Sequence, residues 1–441
     1  MVRLQTDRLI GLRSGVASST VRIIGGLSIF VALLVGACGP EPSKAVVNTV
    51  VPSPLPSPVV PPIPTPTPEV VEPAGTPTPE PTATPMPVGS WSVPAPMIHA
   101  RSGHFGVRLA DGRVLVGGGL GVDGLSQTTE IYFPADDNWL ESGELNVARE
   151  SGVAALLADG RVLVTGGNSA SDDGELDSAE VFDPETGKWT LVDAMATRRN
   201  GHSATTLGDG RVLVAGGADG GDYPDLFTPN VQLFDPETDT WESAEPMTVG
   251  LLQNTGGRAG HGAVLLTETQ VMIVAGIGFG SGGLPDLASS IIFDSTTGEW
   301  TDAGPMLNGR RNHATTLLSD GQVVVTGGQG PQPFAEIYDP EKDIWNGAGV
   351  NIAPRLGHEG IALSDGGLLI FGGWGGPSFN QLASAEFLPS GSNTWEDAGE
   401  MSVARGGAIA TLLEDGRVLV AGGGGGDSGS TNLVEVFTTN E

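Results

Sequence analysis

The amino-acid sequence predicts an all-β fold, a closed ring of seven four-stranded sheets, because one sequence unit recurs along most of the chain. Six tryptophans each stand ten residues before an arginine, and each of these arginines stands ten residues before an Asp-Gly pair. A Gly-Gly pair begins seven residues after each of these aspartates. The tryptophans are Trp91, Trp139, Trp189, Trp300, Trp345 and Trp395.

A seventh unit, which begins at Trp241, departs from this register. Seven additional residues separate Trp241 from its arginine, Arg258. Glu268-Thr269 and Ala275-Gly276 stand in place of the Asp-Gly and Gly-Gly pairs. The remaining pattern is retained, so we count this unit as a member of the ring.

Each unit contains enough β-prone segments for four strands. In one of them, residues 203–207, 211–215 and 231–234 are short runs rich in β-branched or apolar side chains. Asp209-Gly210, between the first two runs, is a preferred pair for a two-residue hairpin turn. Trp241 begins the fourth strand. Four antiparallel strands in about 50 residues correspond to one blade of a β-propeller.

The last unit lacks its fourth strand. It begins at Arg405 and its third predicted strand is Val434–Phe437, close to the end of the sequence. Trp91, which precedes the first arginine, carries the missing element of the pattern. We therefore expect residues 89–93 to pair with the C-terminal strand, which closes the ring and leaves no exposed sheet edge.

The repeat resembles the kelch motif, in the form found in kelch proteins and in the central domain of galactose oxidase. The similarity rests on Arg-x-x-His, the Gly-Gly pair, the tryptophan, and an aromatic residue seven positions before it. That aromatic residue is Phe182, Phe234, Phe293 or Tyr338 in four units. The resemblance covers roughly residues 88–441 and implies a seven-bladed kelch propeller. It leaves the function open, because one fold carries many functions.

Composition excludes several classes of function. The chain has 21 basic and 52 acidic residues among 441, a formal net charge of −31, which argues against a nucleic-acid partner. Its single cysteine, Cys38, excludes an intrachain disulfide and a thiolate zinc site. No cofactor is implied by the sequence.

The N-terminal residues predict export and lipid attachment. Residues 1–22 contain four arginines, and residues 23–37 are apolar but too short to span a bilayer comfortably. Val35-Gly36-Ala37-Cys38 resembles the bacterial lipobox, which implies cleavage of a signal peptide at residues 1–37 and lipidation of Cys38. The protein would then be anchored to the cell membrane or outer membrane, facing outside the cytoplasm. The alternative is an uncleaved signal anchor with an incidental cysteine.

Residues 38–87 are predicted to be a disordered, proline- and threonine-rich stalk. Residues 39–87 contain 17 prolines, and proline removes backbone donors that helices and sheets require. An extended polyproline segment of this length reaches roughly 150 Å at about 3.1 Å per residue. The propeller follows as residues 88–441.

The Arg-x-x-His element has two interpretations. Five histidines follow their arginines by three residues, whereas Gly152 and Ala408 replace histidine in two units. One interpretation makes these residues hydrogen-bonding groups between blades, because buried polar groups need fixed partners. The other interpretation, implied by the kelch resemblance, makes the arginines ligand-binding residues at the channel mouth, where they would attract an anionic group. These arginines are Arg101, Arg149, Arg199, Arg258, Arg310, Arg355 and Arg405.

Variable loops accompany the arginines on one predicted face of the ring. The loops between second and third strands, and those between blades, differ from unit to unit and share this face, whereas the turns on the other face are nearly constant. Function concentrates in variable loops on a rigid scaffold. We therefore expect an extracytoplasmic binding module whose partner is a protein or a glycan at the cell surface.

Two further functional classes remain open. One is a carbohydrate-active enzyme similar to the kelch-type sialic-acid epimerases, and the other is a purely structural scaffold for surface proteins. A galactose-oxidase-type copper site needs a cysteine linked to tyrosine, and Cys38 lies outside the propeller. A sialidase needs a tyrosine with a carboxylate partner, yet Tyr132 and Tyr338 occupy the repeated aromatic position and Tyr223 has no evident partner.

Two acidic loops, around residues 172–177 and 219–225, match no known calcium-loop spacing and are interpreted as solvated.

Overall fold

The structure is a computed structural model that describes residues 87–440 except for eight short segments. These are residues 171–173, 222–225, 249–255, 280–282, 330–333, 352, 377 and 425–428. The predicted signal peptide, the lipidation site Cys38 and nearly all of the predicted stalk lie outside the described residues, as does Tyr223. In the part described, no helix is long and apolar enough to cross a membrane.

The described residues form seven four-stranded antiparallel sheets, here called blades 1 to 7 in chain order. The first strand of the chain, β1 (Gly89–Ser92), belongs to blade 7. From the innermost strand outwards, blade 1 consists of β2 (Phe105–Arg108), β3 (Val114–Gly117), β6 (Thr129–Phe133) and β7 (Asn138–Glu141). Blade 2 consists of β8 (Val153–Leu156), β9 (Val162–Thr165), β10 (Ala179–Asp183) and β11 (Lys188–Leu191). Blade 3 consists of β12 (Ser203–Thr206), β13 (Val212–Ala215), β14 (Val231–Asp235) and β15 (Thr240–Ala244).

The other four blades repeat this arrangement. Blade 4 consists of β17 (Gly262–Thr267), β18 (Gln270–Val274), β20 (Ser290–Asp294) and β21 (Glu299–Ala303). Blade 5 consists of β22 (Ala314–Leu317), β23 (Val323–Thr326), β24 (Phe334–Asp339) and β25 (Ile344–Val350). Blade 6 consists of β27 (Glu359–Ala362), β28 (Leu368–Phe371), β31 (Ser384–Leu388) and β32 (Glu396–Glu400). Blade 7 consists of β33 (Ile409–Leu412), β34 (Val418–Ala421), β35 (Val434–Thr439) and β1.

The blades form a closed ring, as the repeat predicted. The innermost strands β2, β8, β12, β17, β22, β27 and β33 each contact the next, and β33 contacts β2. The N-terminal strand completes blade 7: β1 pairs antiparallel with β35, from Gly89 opposite Thr439 to Ser92 opposite Val436. This is the pairing expected for residues 89–93.

Apolar side chains from adjacent blades make the core. The second strand of every blade is buried, as its run of Val, Leu and Ile predicts, except for Gln270 at the start of β18. One cluster joins Leu213 and Leu233 of blade 3 to Ile273 and Phe293 of blade 4. The repeated tryptophans connect neighbours as well, since Trp139 donates its indole N–H to the carbonyl of Ala95 at 3.0 Å. The repeated aromatic residues are thus structural.

The Asp-Gly turns differ from the prediction in their length. Leu207 N–H donates to the Arg211 carbonyl and Gly210 N–H donates to the Leu207 carbonyl, which makes a three-residue loop rather than a two-residue one. Gly210 has a φ of +89°, whereas Asp209 does not have a positive φ. The Asp209 carboxylate accepts the Arg211 N–H at 3.0 Å, so aspartate is favoured here as an acceptor for the turn.

Short additional strands join the variable loops on one face. They are β4 (Leu120–Gly121), β5 (Gly124–Leu125), β16 (Arg258–Ala259), β19 (Ile277–Gly278), β26 (Arg355–Leu356), β29 (Trp374–Gly375) and β30 (Asn380–Gln381). In blades 4 and 6 the residues at the repeat arginine pair with the loop between the second and third strands. Isolated bridges such as Asn200 with Ala218 do the same in other blades. Both kinds of variable loop therefore share one face, here called the loop face.

Candidate ligand-binding face

The seven repeat arginines do not rim the channel mouth. Their exposed fractions lie between 0 and 2 %, so every one of these side chains is buried. The structure places them inside the blades, beneath the loop face. A ligand-binding role for these arginines stays a prediction, but a side chain that is out of solvent cannot contact a ligand without rearrangement.

Each arginine links the loops of its own blade. Arg149 donates through Nη1 to the carbonyls of Gly166 and Ser178, at 2.9 and 3.1 Å, and through Nη2 to the Glu180 carboxylate at 2.8 Å. Glu180 also accepts the backbone N–H groups of Asn146 and Val147, at 2.7 and 3.0 Å. The ion pair thereby joins the loop between blades to the third strand.

The same buried ion pair recurs in five blades. Its members are Arg101 with Glu130, Arg149 with Glu180, Arg310 with Glu336, Arg355 with Glu386, and Arg405 with Glu435. The glutamates were not identified as partners from the sequence. The sequence does contain a signal, because each glutamate stands two residues before the repeated aromatic position, as Glu130 does before Tyr132.

Blades 3 and 4 lack the carboxylate. Gln232 stands in its place in blade 3, where its Oε1 accepts a bond from Arg199 at 3.2 Å, and Ile291 stands in its place in blade 4. Burial without a paired carboxylate lowers the pKa of Arg199 and of Arg258 to about 10. These neighbouring blades hold their arginines mainly through carbonyl and hydroxyl oxygens.

Three of the five repeat histidines contact the preceding blade, in accordance with the structural interpretation, whereas the buried ring nitrogens of His104 and His313 have no hydrogen-bond partner among the described residues. His202 Nε2 lies 2.8 Å from Thr165 Oγ1, and His261 Nε2 lies 3.0 Å from Ser203 Oγ, each on the preceding blade. Burial, reinforced by the nearby arginine charge, lowers the pKa of His261 to about 3. These imidazoles are therefore neutral at physiological pH and do not bind an anion by charge.

Backbone hydrogen bonds surround the channel opening on the loop face. The residue two positions after each arginine has a positive φ and is glycine in five blades, Ser151 in blade 2 and Asn312 in blade 5. Several of these residues donate their N–H to the corresponding carbonyl of an adjacent blade, including Asn312 to Gly260 at 3.0 Å. We call this ring of residues the collar.

Blade 6 presents aromatic side chains next to the collar. β29 pairs with β26 and β30, and this three-stranded sheet carries Trp374. A Cβ on Gly406 of blade 7 would lie 2.6 Å from the Trp374 ring, and a Cβ on Gly357 would lie 2.7 Å from it. The indole is partly exposed and covers the backbone of both blades at the edge of the collar.

Phe379, at the turn of the same hairpin, is 50 % exposed. Its φ of +50° belongs to the left-handed region, which is uncommon for a bulky residue. Strain of this kind concentrates at functional sites. The sequence showed this loop as variable but did not single out its two aromatic residues.

Comparison with known proteins gives the family. The model of the KLHDC2/KLHL20/DRC7 kelch-repeats domain matches residues 103–328, which are 226 of the 441 residues. This chain belongs to the kelch-repeat family. Membership indicates a binding or interaction module, and kelch domains generally mediate contacts with proteins. No curated protein matches the sequence.

A solved structure shares the fold. A fungal alcohol oxidase of the AA5 family, in complex with copper, is similar with a TM-score of 0.62 and 18 % identity. The similarity covers 80 % of this chain and 76 % of the oxidase chain. At this identity the comparison shows the fold alone.

The described residues of this propeller do not fit a copper centre of that kind. Among the described residues, no group of three or more His, Cys, Asp or Glu side chains is arranged to hold a metal ion. The hydroxyls of Tyr132 and Tyr338 donate to Asp137 and Asp343, at 3.1 and 2.8 Å. Burial raises the pKa of Tyr132 to about 12. Both tyrosines are thus structural hydrogen-bond donors.

Proposed function

We propose that this kelch-repeat protein is an extracytoplasmic, lipid-anchored interaction module that binds a protein or glycan through its loop face. The observation that carries the proposal is Phe379, which is exposed and has a left-handed backbone conformation in the same hairpin as Trp374. Exposed aromatic residues on a rigid scaffold are typical binding anchors, because they bury a large area at a small entropic cost. Both a peptide side chain and a sugar ring offer an apolar surface for such contact.

The blade order supports this location. Trp374 requires a residue without a side chain at position 406, and the other blades have a larger residue there, such as Glu150, Asn200 or Arg311. Blade 7 also has Gly422-Gly423-Gly424 in its loop. The loop face therefore carries an aromatic ring on blade 6 that lies against the glycine backbone of blade 7 at Gly406.

The test is a binding screen of the intact protein in detergent micelles against arrays of extracellular proteins and glycans. For a ligand of the loop face, Trp374→Ala and Phe379→Gly each reduce affinity by about tenfold or more. Glycine adopts a positive φ without a steric cost, so Phe379→Gly should not destabilise the loop. A loss of affinity in this variant can then be attributed to the missing aromatic ring. Leu191→Ala is the matched control, because Leu191 is 51 % exposed on an outer strand of blade 2. Ligands that bind both variants as tightly as the wild type would contradict the proposed surface.

The proposed localisation of the module rests on the N-terminal sequence. The basic and apolar residues 1–37, followed by Cys38 and the proline-rich residues 39–87, support a lipid-anchored protein with a stalk. Such a stalk would hold the propeller away from the membrane, where it can meet a partner at the cell surface.

A further inference from the structure

A cleft of about 310 Å³ lies between blades 5 and 6, on the side of the ring that carries the Asp-Gly turns. This side, opposite the loop face, is here called the turn face. The walls of the cleft are aliphatic: Leu318 and Ile337 belong to blade 5, and Leu368 and Leu388 belong to blade 6. Its volume is at the lower end of the range of about 300–1,000 Å³ that is typical of small-molecule sites.

Two side-chain amides at this cleft replace a charged pair that bridges blades 2 and 3. There, Arg161 follows the Asp-Gly turn of blade 2 and donates through Nη1 to Asp239 of blade 3 at 3.0 Å. In blade 5 the residue after the turn is Gln322. In blade 6 the residue two positions before the repeated tryptophan is Asn393, where blade 3 has Asp239. The arginine and the aspartate are therefore both replaced by uncharged side chains.

The two amides are not used within the described part of the propeller. The backbone N–H of Gln322 donates to the Asp320 carboxylate at 3.0 Å, which fixes the turn, but its side-chain amide has no hydrogen-bond partner among the described residues. The Asn393 side chain has none there either. By contrast, Gln270, at the same position of blade 4, donates its amide to Asp294 at 3.2 Å. A free carboxamide offers two N–H donors and an acceptor oxygen to a ligand.

Leu388 removes a further charge from the cleft. Its equivalent in blade 3 is Asp235, whose carboxylate accepts the Glu237 N–H at 2.8 Å and stabilises the turn between the third and fourth strands. Leu388 is only 3 % exposed and packs in one apolar cluster with Leu318 and Leu368. The turn of blade 6 thus contributes an aliphatic wall where the turn of blade 3 contributes a carboxylate.

The composition of the cleft indicates the chemistry of its ligand. None of the described residues that line it is charged or aromatic, although the chain as a whole has a net charge of −31. An ion would lose hydration against the aliphatic walls without gaining a counter-charge, which is unfavourable. An uncharged molecule with an apolar part has no such cost, and its polar part can pair with the two amides.

We propose that the cleft between blades 5 and 6 binds a small uncharged molecule in which an aliphatic group is joined to an amide. The aliphatic group is buried against Leu318, Ile337 and Leu368, which removes apolar surface from water on both sides. The ligand amide exchanges hydrogen bonds with the side-chain amides of Gln322 and Asn393. This site goes beyond the loop-face function and does not depend on it, because it lies on the opposite face of the ring.

The probe is N-acetyl-leucinamide, which has an isobutyl group, two amides and no charge. N-acetyl-leucine is the first control ligand, because it has the same skeleton but is a carboxylate at pH 7. N-acetyl-alaninamide is the second, because it keeps both amides and lacks most of the aliphatic group. Ligand-observed NMR titration of the intact protein in detergent micelles measures the dissociation constants, and protein-free micelles give the background.

Three variants alter the cleft outside the apolar core. Gln322→Ala and Asn393→Ala each remove one amide, and each is expected to weaken binding of N-acetyl-leucinamide about fivefold. Gln322→Arg introduces the arginine that blade 2 has at this position, and it is expected to abolish binding. Gln270→Ala is the matched control, because it removes the equivalent amide of blade 4, which does not line the cleft. Circular dichroism verifies that each variant is folded.

The expected result is saturable binding of N-acetyl-leucinamide to the wild type and to Gln270→Ala, with weaker or no binding of both control ligands. Three results would overturn the proposal. They are no binding of N-acetyl-leucinamide above the micelle background, equal binding of N-acetyl-leucine, and unchanged affinity in folded Gln322→Arg.

Discussion

Five of the seven repeat arginines act within their own blade through a buried ion pair, and the paired glutamate can also accept backbone N–H groups from the adjoining loop, as Glu180 does. The pattern explains why arginine rather than lysine recurs, since a planar guanidinium can donate to two carbonyls and a carboxylate at once. The arginine bonds the carbonyls on both sides of the loop between the second and third strands, as Arg149 does with Gly166 and Ser178. This explains how loops of different length begin and end at equivalent positions.

At the residue scale, the first prediction concerns this ion pair. Arg149→Ala is expected to lower the free energy of unfolding by about 3–5 kcal/mol, because it leaves the Glu180 carboxylate buried without its cation. Denaturant titration measures the loss. Arg113→Ala is the control: Arg113 pairs with Asp111 in an exposed turn, so its removal should cost less than about 1 kcal/mol. Equal losses for the two variants would contradict the assigned role.

A second prediction concerns the pH dependence of stability. The pKa of Glu359 is raised from 4.5 to about 7 in the folded protein. Between these values the folded state binds more protons than the unfolded state, so the contribution of Glu359 to stability falls as pH rises through this window. Above about pH 7 the ionised side chain is destabilising.

Glu359→Gln removes this dependence. The variant is expected to have a higher Tm than the wild type at pH 8, and the difference should shrink as the pH falls towards 4.5. Thermal unfolding across this range measures it, with the exposed Glu396→Gln as control. A Tm difference that does not change with pH would show that Glu359 is ionised normally in the folded state.

At the scale of elements, β1 completes the blade that the C-terminal strands begin. Trp91 packs against Phe437 and Phe371, with ring centroids 5.1 and 5.7 Å apart, and its indole N–H donates to Ala398 O at 3.1 Å. The same side chain therefore contacts blade 7 and the neighbouring blade 6.

The third prediction follows from these contacts. Trp91→Ala is expected to cost about 3 kcal/mol of stability, and to loosen β1 so that the edge of β35 becomes available to another molecule. Denaturant unfolding measures the first effect and sedimentation velocity the second. Ser90→Ala, at the exposed neighbour, should change stability by less than about 0.5 kcal/mol. A stable, monomeric Trp91→Ala protein would mean that closure does not depend on this side chain.

The strands, the ring and its closure could be predicted from sequence because they follow from spacing. Turns, glycines and tryptophans stand at fixed intervals along Arg199–Trp241 and its equivalents, and intervals determine which segments pair. The burial of Arg199 could not be predicted in this way. Spacing locates its backbone at the end of a strand and places Gly216 at a fixed interval. The orientation of the side chain also depends on Asn230 and Gln232, and a loop of variable length separates these two residues from it.

The candidate site was predicted less well than the fold. The kelch resemblance directed attention to residues that all blades share, whereas Trp374 and Phe379 are features of blade 6 alone. Their significance depends on neighbours in another blade, such as Gly406 beneath Trp374. Comparing each position across the seven units, instead of searching for what they have in common, would have found the two aromatic residues of this loop.

At the scale of the whole molecule, the fourth prediction concerns the anchor. Cys38→Ser is expected to abolish incorporation of labelled fatty acid and to move the protein from the membrane fraction to the soluble extracytoplasmic fraction, because the lipidated sulfur is lost. The propeller should be unaffected, since Cys38 precedes it. Unchanged labelling, or membrane association of the variant, would favour the uncleaved signal anchor instead.

The pairing of β1 with β35 brings the two ends of the propeller together, so the chain could begin at another blade while the blades keep their order around the ring. The Asn440 N–H donates to the Val88 carbonyl at 2.9 Å, so a short peptide could join these two residues without disturbing a blade. In a circularly permuted protein, the chain would begin in an Asp-Gly turn, for example at Gly160, and residues 440 and 88 would be joined by the short peptide. Every strand pairing described above would be kept. A series of such permutants, each beginning in a different Asp-Gly turn, could be compared in folding yield. The permutants that fail to fold would show which blade must be continuous in sequence for the others to fold.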